Sequence, residues 1–176
     1  MKLVDRFDIA VDELLEQWRG DPVVDRVMTA ATHAGEFSLI WHVSSVARGL
    51  LRRRPDQVVA LAVGIAAESL IVNQGLKRLA RRRRPTVSGD ERFEIRTPLT
   101  SSFPSGHASA AAFAATTLIG WDGRRWTPLW ATMAATVALS RPYVRIHHAS
   151  DIVGGIVVGT GLGLLARRLF RALGLG

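Results

Sequence analysis

The residues that invite a chemical reading fall into three short groups in the middle and second half of the chain. The first is Lys77 and, beyond six intervening residues, Arg84 and Pro85, at the two ends of a run rich in arginine. The second is Pro104-Ser105-Gly106-His107. The third is Ser140-Arg141, then five residues, His147, three more residues, and Asp151. Each group supplies something that phosphate chemistry needs. Arginine offers a planar fork that matches phosphate oxygens, and lysine offers a point charge. A helix opening at Ser105 presents free N–H groups and a positive dipole end to an anion, and Gly106 lets the backbone come close. A carboxylate one turn from a histidine holds the imidazole tautomer and stabilises its cation, and Asp151 follows His147 at helical spacing. His107 is a second histidine, available to protonate a leaving oxygen. The set provides an anion cradle, a nucleophile with its orienting acid, and a proton donor.

Taken singly, each piece has an ordinary explanation: a solvated or headgroup-facing arginine patch, a helix cap, a polar connection. What joins them is the set of elements that must position them. Residues 3–18 read as an amphipathic helix, with Leu3, Val4, Phe7, Val11, Leu14, Leu15 and Trp18 on one face and Asp8, Asp12, Glu13 and Glu16 on the other. It is too charged to span a bilayer, and either lies on a membrane surface or packs on the rest of the protein. Gly20, Asp21 and Pro22 end it. Residues 23–46 form a mixed apolar helix interrupted by His33, Glu36 and His42, followed by a basic loop over 48–56. Residues 57–76 have the length of a span, with Glu68 and Asn73 facing the bundle interior. A long, irregular, basic segment over 77–103 leads to apolar helices over 105–121, 126–139 and 151–165. Gly155, Gly159 and Gly163 stand four apart, the small-residue spacing that lets membrane helices approach. Trp121, Trp126 and Trp130 suit a membrane boundary.

Composition agrees with a membrane setting. The 176 residues are 48% hydrophobic yet carry a net charge of +8, and the two pull apart for a soluble protein. A basic excess points to nucleic acid, anionic lipid or a phosphorylated substrate. There is no cysteine, which excludes disulfides and thiolate–metal sites. Residues 1–18 are charged throughout, so no secretory signal is expected and internal helices must provide the anchor. The expected fold is therefore all-α: an integral-membrane helix bundle of about five transmembrane helices plus an N-terminal amphipathic helix. It forms a single domain over 1–176, with a surface helix over 1–22 and the bundle over 23–171. Charge sorts by side. The loop after Val46, the turn after Gly120 and the C-terminus carry Arg48, Arg52, Arg53, Arg54, Arg124, Arg125, Arg167, Arg168 and Arg171, with only Asp56 and Asp122 beside them. By the positive-inside rule that face is cytoplasmic. The three chemical groups and the N-terminal helix fall on the opposite, extracytoplasmic face.

The three groups, in this order and with these gaps, resemble the signature of the type 2 phosphatidic acid phosphatase superfamily, in its bacterial membrane-bound branch. The match covers residues 77–151, and every defining position is present. Outside the motifs the chain departs from relatives with six spans, because a short amphipathic helix stands where their first span would be. The resemblance implies roles. His147 attacks phosphorus and becomes a phosphohistidine, Asp151 orients and charge-stabilises it, and His107 protonates the leaving group. Lys77, Arg84, Ser105, Gly106 and Arg141 hold the phosphate oxygens. No metal and no cofactor are implied, because the cations do the work of Mg²⁺. The implied partners are a lipid phosphate substrate and the bilayer, not nucleic acid. The substrates to expect are a polyprenyl phosphate or diphosphate, a phosphorylated polyprenyl-sugar, phosphatidylglycerophosphate or phosphatidic acid. High arginine and alanine usage suggests a GC-rich bacterial genome, which makes the plasma (inner) membrane, multi-pass, the expected location and recycling of a cell-wall carrier the first guess.

Two other readings compete. A vanadium haloperoxidase shares such a cradle, but those chains are soluble and much longer. A non-enzymatic phospholipid or polyprenyl-phosphate carrier needs the cradle but neither histidine. Among the remaining polar residues, His148 points away from its neighbour, and His33, Glu36, His42 and Glu68 make buried polar contacts. Arg78, Arg81, Arg82 and Arg83 meet headgroups or solvent, and Arg145 fits either environment.

Overall fold

Local signals set most helix boundaries. In the computed structural model, which describes residues 1–86, 90–93, 95 and 100–176, Asp21 accepts the N–H groups of Val23 and Val24 and so opens a helix at Pro22. Before it lies α1 (Leu3–Glu16) and after it α2 (Pro22–Gly35). The expected single helix over 23–46 is broken. Phe37 and Ser38 take left-handed backbone angles, and α3 (Leu39–Arg52) starts on a new axis. The basic stretch expected to be a loop is largely the end of α3. Only Arg53, also left-handed, and Arg54 separate it from α4 (Pro55–Ser69). A π-helical stretch, Leu70–Leu76, carries α4 straight into α5 (Lys77–Ala80). Ser105 caps α6 (Gly106–Asp122), and Gly123 ends it with a positive φ. The last two helices are α7 (Thr127–Tyr143) and α8 (Ala149–Ala172). Among the described residues the secondary structure is helical throughout.

Helix α6 is the centre of the bundle. Its alanines from Ala108 to Ala115, with Phe113, Thr117 and Leu118, are buried against α4, α7 and α8. The main apolar core gathers Trp41, Leu61, Ile65, Phe113, Leu118, Trp130 and Val137 around it. Trp130 thus belongs to the core rather than to a membrane boundary. It is 6% exposed and donates from Nε1 to Asp122 Oδ2 at 3.0 Å. The tightest packing is between α6 and α8. A methyl group on Gly155 would lie 2.5 Å from the carbonyl oxygen of Ser105, and one on Gly159 would run into the backbone of Ser109. The glycines at four-residue spacing are the face that touches α6, as the sequence suggested.

The ends of the bundle separate as charge patterning anticipated. At one end Arg48 donates to Asp122 Oδ1 at 2.7 Å, its guanidinium lies over Trp121, and Gln57 donates to the Leu175 carbonyl. At the other end sit α1, the start of α6, the end of α7 and the start of α8. Helix α1 packs on the protein by its charged face. Its acids face the protein: Asp8 is 8% exposed, whereas Leu3, Phe7 and Trp18 are 81%, 45% and 56% exposed. Two helices, Pro55–Ala80 and Ala149–Ala172, are long and apolar enough to cross a membrane.

The α6–α8 contact yields a stability prediction. Gly159→Ala must push two backbones apart and costs about 1–3 kcal/mol. Gly161, on the same helix, has nothing within 4 Å of where its methyl would go, so Gly161→Ala is neutral or slightly stabilising. Thermal unfolding of the two variants in detergent, followed by circular dichroism, checks the contrast.

Candidate active site

Four helix ends and two connecting segments converge at the α1 end of the bundle. Lys77 arrives at the end of the long α4–α5 helix and is 8% exposed. Its Nζ lies 3.4 Å from the point where a side chain on Gly106 would begin, beside Asn73 Oδ1 at 3.1 Å. Gly106 therefore leaves room for Lys77 at the mouth of α6. Ser105 is fully buried and caps α6, its hydroxyl accepting from the Ala108 N–H at 3.4 Å. That leaves the Gly106 and His107 N–H groups, in the first turn, free of helical partners. Ser105 also donates its own N–H to the Asp151 carbonyl at 3.0 Å, which locks the start of α6 to the start of α8.

Arg141 lies in the last turn of α7, not in a loop as expected, and is 1% exposed. Neighbouring Ser140 is turned away from this task. Its hydroxyl donates to the Val137 carbonyl and accepts from Thr32 of α2, each at 2.8 Å. His147 sits in the short connection before α8 and is 3% exposed. Asp151 is the third residue of α8, so its nearness to His147 comes from helix-start geometry rather than from a shared helical turn. Asp151 Oδ2 accepts the His148 N–H at 2.8 Å, the reciprocal bond of a helix cap, and faces His147 Nδ1 at 3.5 Å. That second distance is close enough for attraction and too open for a full hydrogen bond. On the other side of the ring, Arg84 Nη1 lies 3.2 Å from His147 Nε2 and donates to the Ile146 carbonyl at 2.7 Å. The partners assign the tautomer: the proton is on Nδ1, towards Asp151, and the Nε2 lone pair faces the Arg84 guanidinium.

His107 completes the set, within electrostatic reach of Arg141, His147, Lys77 and Arg84. Its ring is walled by α2. A methyl on Gly35 would lie 2.8 Å from His107 Cδ2 and 2.9 Å from Val137 Cγ1. The structure thus brings together all eight residues singled out above: Lys77, Arg84, Ser105, Gly106, His107, Arg141, His147 and Asp151. Three of them carry buried polar atoms with no hydrogen-bond partner among the described residues: His107 Nε2, Arg141 Nε and Nη1, and His147 Nδ1. Buried donors in this state are costly, about 1–3 kcal/mol each; a ligand with several acceptor oxygens can satisfy those of Arg141 and His107 together, whereas His147 Nδ1 faces Asp151. Burial, ahead of other influences, holds the His147 imidazolium well below the usual histidine range. Asp151 opposes that shift, and Arg84 and Arg141 reinforce it. Among the described residues no group of three or more histidine, aspartate or glutamate side chains is arranged to hold a metal.

Some surrounding residues take other places than expected. Arg82, expected at headgroups or solvent, is tied to Asp151 at 2.7 Å and to Asp8 of α1 at 2.6 Å. Arg145 pairs with Asp12, Glu16 and Asp90. Glu68 is buried and hydrogen-bonded to Ser109, as expected. His33 and Glu36 are half-exposed, 3.9 Å apart. Asp8 had no motif to mark it. Its only signal was being an acid on a charged helix face in a strongly basic chain. Part of the irregular segment over 77–103 lies outside the described residues, at 87–89, 94 and 96–99.

Comparison with known proteins gives this geometry a context. The family model described as "PAP2 superfamily" matches residues 57–174. A curated relative, the decaprenylphosphoryl-5-phosphoribose phosphatase of Mycobacterium tuberculosis, is 33% identical over 150 residues, spanning 81% of each chain. Among solved structures, a transmembrane PAP2 type phosphatidylglycerolphosphate phosphatase from Bacillus subtilis superposes with a TM-score of 0.78 at 23% identity. The match covers 98% of this chain and 88% of that one. The LpxE of Aquifex aeolicus superposes with a TM-score of 0.71 at 22% identity, covering 91% and 94%.

The orphaned Arg141 and His107 atoms have the chemistry to hold an oxyanion. Orthovanadate at about 100 times its Kd stabilises the folded protein by about 2.7 kcal/mol, visible as a rise in Tm. Arg141→Gln removes most of that rise. A Tm unmoved by vanadate in the unaltered protein contradicts the cradle.

Proposed function

The chain belongs to the PAP2 superfamily, and from that premise we propose that it dephosphorylates a polyprenyl-linked lipid through a phosphohistidine on His147. It is a membrane phosphatase acting on lipid phosphates, so the carrier reading, without chemistry, falls away. The observation that carries the mechanism is the setting of His147: buried, with Nδ1 turned to Asp151 and Nε2 beside Arg84. In the first step Nε2 forms a bond to phosphorus as the bond from phosphorus to the leaving oxygen breaks. His107 gives that oxygen a proton from Nε2. Asp151 stabilises the cationic ring. Arg84, Arg141, Lys77 and the N–H groups of Gly106 and His107 hold the three equatorial oxygens. In the second step a water oxygen bonds to phosphorus as the phosphorus–Nε2 bond breaks and returns its electron pair to His147, His107 takes a proton from that water, and inorganic phosphate leaves.

The relative's name supports a phosphorylated polyprenyl-sugar as first choice of substrate. A polyprenyl diphosphate, phosphatidylglycerophosphate and phosphatidic acid complete the panel to screen. The proposed topology is a single domain with five crossings, made by α2 with α3, α4 with α5, α6, α7 and α8. In support, the first pair is broken at the level of His107, and the long apolar helices expose Val59, Val63, Val157 and Leu165. In lipid these side chains meet acyl chains, and the outward apolar face of α1 meets the interface. The arginine-rich end is then cytoplasmic and the site extracytoplasmic, in a bacterial plasma membrane.

Phosphate release from the purified protein tests the mechanism. His147→Ala lowers kcat about a thousandfold or more, and His107→Ala lowers it by about a hundredfold or more. Activity that survives His147→Ala sinks the proposal. The pH profile is a second check. His147 must be neutral to attack, and its depressed pKa keeps it neutral down through weakly acidic pH. The acid limb of kcat/KM that it governs therefore lies below about pH 6.5, the unperturbed histidine value. In kcat, which reports the substrate complex, loss of the His107 proton gives a basic limb, and the two histidines together make that profile a bell. A histidine-governed acid limb above about pH 7, or a flat profile, contradicts the assignment.

A further inference from the structure

Asp151 has two oxygens, and only one of them serves His147. The other, Oδ1, accepts from Arg82 Nη1 at 2.7 Å. Arg82 is itself shared: its Nη2 donates to Asp8 Oδ2 at 2.6 Å. Ser150 closes the ring. Its hydroxyl accepts from Arg82 Nη1 at 2.7 Å and donates to Asp8 Oδ2 at 2.9 Å, while its N–H donates to Asp8 Oδ1 at 2.8 Å. The Arg82 backbone is fixed separately, by Ser101 Oγ on its N–H and by the Ser102 N–H on its carbonyl.

We infer that Asp8 and Arg82 are positioning residues of the active site, through which the N-terminal helix holds the carboxylate that orients His147. The inference rests on the catalytic reading of His147 given above. Two physical arguments carry it. An arginine with a single carboxylate partner tends to a bidentate pair that engages both oxygens. Shared with Asp8, Arg82 meets Asp151 through Oδ1 alone, and Oδ2 stays turned to the imidazole. The charge balance points the same way. Asp8, Arg82 and Asp151 sum to one negative charge, and Oδ2, which also accepts the His148 N–H, is the oxygen that faces the histidine where it becomes cationic. A purely anchoring role is already filled by other pairs. Asp12 and Glu16 hold α1 to Arg19, Arg92 and Arg145.

The test is a double-mutant cycle on the full chain in detergent, using whichever lipid of the panel above is hydrolysed fastest. Asp8→Asn lowers kcat about tenfold and leaves KM within about twofold. In an Asp151→Asn background the same change costs less than about twofold more, because the route of its effect is gone. Asp12→Asn, which weakens the anchor only, stays within about twofold of the unaltered kcat. Where Asp8→Asn does not fold, Arg82→Gln replaces it in the cycle, with Arg82→Lys recovering part of the loss. Equal losses with and without Asp151, an unchanged kcat, or an Asp12→Asn loss matching that of Asp8→Asn would overturn the inference. A His147→Ala arm separates the levels. Activity persisting there overturns the catalytic reading, whereas a dead His147→Ala beside an uncoupled Asp8 overturns the positioning role alone.

Discussion

The rest of the molecule is organised around a repulsion. Lys77, Arg84 and Arg141 crowd one small space, and Lys77 and Arg141 are almost sealed from water. Two like charges about 6 Å apart repel by about 3 kcal/mol even at an effective dielectric of about 20. Among the described residues the carboxylates of Asp151 and Glu68 are engaged elsewhere, with Arg82 and His148 in one case and Ser109 in the other. Scaffold holds Lys77 and Arg141 in place, and on the proposed reading the substrate brings negative charge to them. Binding then relieves a strain that folding has already built in, which is the sense of preorganisation.

The scaffold able to withstand that repulsion is built from small residues. Alanines on α6 and glycines on α8 let two backbones meet with no side chain between them. Around this pair the larger apolar side chains do two jobs. Some, such as Trp41 and Phe113, fill the core, while others, such as Val59 and Leu165, are left outside. A surface of that kind is unfavourable in water by about 25 cal/mol for each Å², and natural in lipid. The N-terminal helix obeys the same rule at its own scale, with acids turned to a basic protein and apolar residues turned out.

Much of the site was legible because its residues sit at helix ends, where sequence signals are strongest. Ser105 and Gly106 announce a helix start, and His147 and Asp151 bracket another. The gaps between the groups matched a known pattern. What escaped reading was set by contacts distant along the chain. The lone Gly35 did not announce the left-handed break at Phe37 and Ser38, and nothing local announces the π-helical stretch that delivers Lys77. Arg82 looked like one more member of an arginine run, and only the folded chain distinguishes it from Arg81 and Arg83. Trp130 looked interfacial because its neighbours in sequence are, yet Asp122 draws its indole inward. The amphipathic pattern of α1 gave its two faces but not which of them points at the protein. That choice depends on partners such as Arg82 and Arg145, far away in sequence.

The single backbone bond from Ser105 to the Asp151 carbonyl has a mechanical meaning. It joins the start of α6, proposed above to hold the anion, to the helix proposed to orient the nucleophile, just where the two backbones are already in contact. These two parts behave as one rigid jaw. Any widening that admits a bulky lipid must then come from the facing wall, where α2 ends in a break and α4 runs through a looser π-turn. Substrate exchange and chemistry are thereby assigned to different halves of the bundle, so one can flex without misaligning the other.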